Sequence, residues 1–218
     1  MRSRGWLRPL AIICLATGAA VTYGVVNDQF LAHLCVQYFT IGHIDYLRTG
    51  RPEILAFEWG FLGTWWVGLT LGVPVALLGT LGPAPRLRAV DFVRPLLLLM
   101  GLMALAAVIA WVSAYTLASN GTAHIADVVR PGVDPDQRHL YYADFWANIA
   151  GYVIGPLGGI TLLVWTGARR LFLRRSSLQP REPRRWELVA LRVLVSIGGA
   201  AIALAAVLIA AHRMPVFS

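Results

Sequence analysis

The chain has 218 residues, 57% of them hydrophobic and 14% charged, with a formal net charge of +8 and an isoelectric point near 10.3. So little polar surface excludes a single water-soluble globule, and the apolar residues gather in blocks of about 20, the length at which a helix crosses a bilayer. The basic surplus does not indicate nucleic acid, because the arginines stand between apolar blocks and not along one soluble face.

The first block, residues 7–26, follows Arg2 and Arg4 and includes Arg8. It runs on through Thr22, Tyr23 and Val26 with no clear small-x-small site, so a retained first span is expected in preference to a cleaved signal. Cys14 lacks a lipobox, since Ile13 occupies the position that needs a small residue, and Cys14 and Cys35 stand at different depths, so no disulfide is expected.

Residues 28–41 then place Phe30, Leu31, Leu34, Cys35, Tyr38 and Phe39 on one helical face and His33, Gln37 and Thr40 opposite. This pattern predicts a short interfacial helix, with Asn27 or Asp28 as N-cap and Gly42 as stop. Tyr38 and Phe39 read as headgroup anchors, or else Gly42 turns His43 back over the second span near Glu58 and Trp59.

Four further spans are predicted at 54–78, 95–118, 145–166 and 188–211, giving an all-α five-helix membrane bundle in a single domain. Gly60, Thr64, Gly68 and Gly72 recur every four residues in the second span, as do Gly151, Gly155 and Gly159 in the fourth. Such ridges allow close backbone approach and predict that these two spans pack on each other. Pro74 and Pro156 are expected to bend them.

Fourteen arginines fall at the N-terminus, the second connection and the fourth connection, the last carrying Arg169 to Arg185 with Arg192 just inside the last span, while Arg48, Arg51, Arg130, Arg138 and Arg213 fall on the other side. The positive-inside rule then puts the N-terminus in the cytoplasm and the C-terminus outside. All 19 basic residues are arginine, which fits GC-rich bacterial coding. The fourth connection reads first as a topology determinant and anionic-lipid contact. The far side gathers eight acids, among them Asp28, Asp45, Glu58 and Asp144, and all five histidines. An acid with an aromatic near the outer end of both inward-running spans, Glu58-Trp59 and Asp144-Phe145-Trp146, hints at a duplicated hairpin.

No CxxC, CxxCH, HExxH, P-loop or GxSxG motif is present. The candidate polar cluster is His43, Glu58, His139, Asp144 and Asn148. Asp144 and Asn148 are spaced i, i+4 on a face that continues through Tyr152 to Gly155, whereas His139 joins them only if residues 139–143 form a turn. With that turn, His139 and Asp144, completed by His43 or Glu58, make a metal site or an acid and base pair. Without it, Asp144 is an N-cap and His139 a solvated interfacial residue.

The combination of Asp28-Gln29, the segment Tyr38 to His43, and Trp59-Gly60 with Trp65-Trp66 resembles a group of uncharacterised bacterial multi-pass membrane proteins, mainly over residues 24–72. The resemblance implies a bacterial inner-membrane setting and no activity. Three function classes follow. The leading one is a non-catalytic protein working through protein or lipid contacts. The second is an enzyme or metal-binding protein at the outer face, and the third is a small transporter or oligomeric channel with a polar path through Asn148. The lipid bilayer, a membrane-protein partner or a second copy are the expected partners, and the sequence requires no cofactor.

Overall fold

The computed structural model describes residues 6–44, 46–176 and 182–212, with side chains to 207. Asp45, Arg2, Arg4, Arg181, Arg213 and the His212 side chain, all used in the sidedness argument above, lie outside the described residues. The helices are α1 (Leu7–Leu34), α2 (Val36–Thr40), α3 (Pro52–Leu62), α4 (Trp65–Thr80), α5 (Val93–Ser119), α6 (Arg138–Arg175) and α7 (Arg185–His212). Short 3-10 turns stand at Ala89–Phe92 and Ile125–Asp127, and the described residues contain no strand. Among the described residues five helical stretches are long and apolar enough to cross a membrane: 7–34, 52–80, 89–119, 138–175 and 185–207.

The helices outrun the apolar blocks, because a helix continues wherever its backbone bonds can be made, and polar residues at its ends interrupt hydropathy without interrupting the ladder. The expected interfacial helix over 28–41 is corrected accordingly. Residues 28–34 are the last two turns of α1, Cys35 breaks the helix, and only Val36–Thr40 forms a separate element. Asn27 and Asp28 therefore cap nothing. Tyr38 and Phe39 are not surface anchors, since they are 6% and 1% exposed and belong to a packed core.

Two compact units are present. Unit 1 comprises 1–22, 63–98 and 159–218, and unit 2 comprises 23–62 and 99–158.

In unit 1, α1 and α7 touch backbone to backbone. A methyl group on Gly18 would run into the Leu194 carbonyl, and one on Gly198 into the Cys14 carbonyl. Gly68 lies against Thr17 of α1 at 2.6 Å from an added Cβ to the Thr17 Cα, and Gly72 against Ala16 at 2.9 Å. The glycine ridge of the second span thus packs on the first span, and the second span meets the fourth through its leucines. Gly159 instead receives the Leu71 side chain. Spacing shows that a groove exists, and shape matching across the bundle selects what fills it. Two charged devices brace this unit. Arg170, 6% exposed, donates to the carbonyls of Leu78, Ala84 and Pro85, which closes the end of α4. Arg94 pairs at 2.5 Å with Glu187, itself fully buried, while Trp186 packs on the Arg94 guanidinium at 5.6 Å.

In unit 2, α2 packs on α3 around Leu31, Cys35, Tyr38, Phe39, Leu55 and Tyr141. Gly60 meets the backbone of Gly24 and Val25, Gly151 the Tyr23 ring, and Gly155 the Met103 side chain. Gln37 donates to Asp134 Oδ2 and accepts from the Asp134 N–H at 2.9 Å, tying α2 to the loop before α6.

Candidate functional site

All five residues of the predicted polar cluster lie in unit 2, four of them hydrogen-bonded there, and Tyr38 is the centre around which several of them gather. Its ring meets those of Phe39, His43 and Tyr141 edge-on at 5.2, 4.9 and 5.2 Å. The Tyr38 hydroxyl accepts from Asn148 Nδ2 at 3.2 Å, and its carbonyl accepts from His43 Nδ1 at 3.0 Å. Gly42 is required here by close approach: a Cβ would stand 2.7 Å from the Tyr141 hydroxyl and collide with the Tyr38 carbonyl.

His43 is stacked on Phe39 at 5.7 Å and tilted against Trp59 at 4.5 Å. The turn after α2 does bring it to the second span beside Trp59. Burial among these rings holds its pKa below the ordinary histidine value, because the imidazolium loses more hydration than the neutral ring. The same burial raises the Tyr38 hydroxyl and pushes the Cys35 thiol up to about 11.

Asn148 Oδ1 accepts from Asn27 Nδ2 at 3.2 Å, and the same amide donates to Asp28 Oδ1 at 3.1 Å. Asp28 is 7% exposed and makes no ion pair among the described residues. Asp144, fully buried, accepts from Trp111 Nε1 at 2.8 Å, and its Oδ2 has no hydrogen-bond partner among the described residues. Glu58, 6% exposed, accepts from the backbone N–H of Tyr46 at 3.0 Å. The sequence carries no signal for Asn27, Asp28 and Trp111 as the partners of this cluster. The i, i+4 spacing of Asp144 and Asn148 shows that they share a face but cannot say which helix lies opposite.

His139 does not join the cluster. α6 begins at Arg138, so residues 139–143 are helical and His139 points well round from Asp144, half-buried in the first turn. The same start removes Asp144 as an N-cap, since it lies in the second turn. Among the described residues no three His, Cys, Asp or Glu side chains come together in a way that could hold a metal ion. What the arrangement does chemically is link α1, α2, α5 and α6 within unit 2, through Asn27, Asn148 and Tyr38 in series and through Trp111 with Asp144.

Compared with known protein families, with curated proteins and with solved structures, the chain matches none.

Proposed function

We propose that this chain is a multi-pass protein of a bacterial inner membrane that acts through protein or lipid contacts and not through catalysis. The observation that carries the reading is the engagement of the candidate polar groups by internal partners: His43 with Tyr38, Glu58 with Tyr46, Asp144 with Trp111, and Asn148 with Asn27 and Tyr38. A reactive site keeps a nucleophile, base or ligand facing substrate, whereas Asp144 and Asn148 join helices and His43 and Glu58 are tied to the backbone of Tyr38 and Tyr46. The lateral faces favour contact as well. Leu98, Leu102, Leu105, Val108, Ile109 and Val112 of α5 are all at least half exposed, an apolar surface suited to acyl chains or another helix.

Charge supports an orientation with the N-terminus in the cytoplasm and the C-terminus outside. Described residues of unit 1 carry eleven arginines and three acids, against four arginines and seven acids in unit 2. Arginine-rich ends stay on the cytoplasmic side. Reporter fusions at the C-terminus are expected to be active only for a periplasmic reporter.

Elemental analysis of the purified chain beside His43→Ala and His139→Ala variants tests the non-catalytic reading. No stoichiometric metal in any sample is the expected result. One zinc, copper, iron or manganese per chain, lost in both variants, overturns it in favour of an outer-face metal site.

One feature favours a transporter as the second reading. The second span is interrupted at Gly63 and Thr64, near the centre of the stretch 52–80, and broken helices at that depth line solute sites in many transporters. The Thr17 hydroxyl, buried beside Gly68 one turn beyond the break, has no partner among the described residues. Ion and small-solute flux in proteoliposomes is the test. A flat trace removes this reading.

A further inference from the structure

The arginines of unit 1 divide into two groups. Arg88, Arg94 and Arg170 are engaged internally, by Asp91, Glu187 and three backbone carbonyls respectively. The others described on the same elements make no ion pair among the described residues. Arg86, Arg174, Arg175, Arg184 and Arg185 are exposed, and no acidic side chain pairs with them among the described residues.

The internal bonds bring these free cations to one end of the unit. Arg170 binds the carbonyls of Ala84 and Pro85, so Arg86 on the loop lies at the same end as Arg174, one turn beyond Arg170 on α6. Arg94 binds Glu187, so Arg184 and Arg185 at the start of α7 stand beside the beginning of α5. The sequence alone shows a basic run after α6. The sequence puts both connections on one side, and the folded chain brings Arg86 to the end of α6 and takes Arg170 out of the available set.

Apolar and aromatic surface adjoins these cations on the same helices. Leu171 and Phe172 are 56% and 51% exposed, and Trp186 and Val189 are 45% and 55% exposed. A ligand that fits both features carries an anionic head and hydrocarbon chains. Guanidinium groups bind phosphate oxygens through paired N–H donors, and the adjoining side chains suit acyl tails. We propose that this end of unit 1 is a binding site for an anionic glycerophospholipid, with Arg86, Arg174, Arg175 and Arg185 as the headgroup ligands. The site deepens the contact reading by naming one partner class. Lipid preference and metal content are separate readouts, so loss of the lipid site leaves the metal test standing.

The test is native mass spectrometry of the full chain in uncharged detergent, titrated with phosphatidylglycerol or phosphatidylcholine. The wild-type chain is expected to retain phosphatidylglycerol roughly tenfold better, and the triple variant R174Q/R175Q/R185Q to retain less than about a third of that preference, since each basic residue near an anionic headgroup contributes on the order of a few-fold. The variant R48Q/R51Q, which alters exposed arginines of unit 2, is expected to behave as wild type. Equal retention of the two lipids, or an undiminished preference in the triple variant, overturns the proposal. Inorganic phosphate that displaces the lipid at equal concentration overturns it too, by showing a site for free anions.

Discussion

The indole N–H of Trp111 donates to Asp144 Oδ1 at 2.8 Å, joining α5 to α6 through a carboxyl group that is fully buried in unit 2. Trp111→Phe keeps most of the ring and deletes the donor. It is expected to cost about 1–2 kcal/mol, the range for a hydrogen bond between membrane helices plus a carboxyl left unsatisfied. Trp111→Phe combined with Asp144→Leu should cost less than the sum of the single changes. Thermal unfolding in detergent measures both, and strict additivity would show that the bond contributes nothing.

Gly18 and Gly198 allow α1 and α7 to touch. Gly18→Ala or Gly198→Ala drives a methyl group into the opposite backbone, which cannot swing aside as a side chain can. A loss of about 3 kcal/mol or more of stability, or failure to accumulate, is expected for each, at or beyond the upper end of ordinary overpacking. Gly199→Ala and Gly101→Ala meet no atom within 4 Å and should be neutral. Expression level and melting temperature of the four variants decide it.

Arg170→Lys retains the charge but not the three-way fork to Leu78, Ala84 and Pro85. Carbonyls at the end of α4 then lose their donors, and destabilisation of about 2–4 kcal/mol is expected from two charge-assisted bonds lost. A lysine variant that melts with wild type would show that water replaces the guanidinium without cost.

Burial lowers the pKa of His43, so the folded chain holds fewer protons at this position than the unfolded chain. Its contribution to stability is therefore present above the unfolded value of about 6.5 and is lost as pH falls through the folded value. Wild type should lose melting temperature between pH 7 and pH 5 more steeply than His43→Gln. Parallel curves would mean that the imidazole keeps its hydration when folded.

The Cys35 thiol is 1% exposed, and burial raises its pKa to about 11, so thiolate is scarce at neutral pH. Maleimide labelling of a Cys14→Ser background is expected only after denaturation. Rapid labelling of the native chain would show that the break after α1 opens.

The sequence by itself determined that the chain is all-helical and carries five stretches able to cross a membrane, since hydrophobic length is a local property that no tertiary contact has to supply. It also identified grooves of glycine and the residues Asp144 and Asn148 on one face, because helical spacing fixes which side chains share a stripe. Partners were beyond it. Gly68 faces Thr17 and Gly159 faces Leu71, and nothing in the four-residue repeat distinguishes those neighbours from each other. His43 became a ring packed against Trp59, Asp144 an acceptor for Trp111, and Tyr38 a core residue, through contacts between segments far apart in the chain. Only the tertiary structure decides such pairings, because they depend on helix rotation and depth, and one helix turned by a fraction of a turn would present a different stripe from the same sequence.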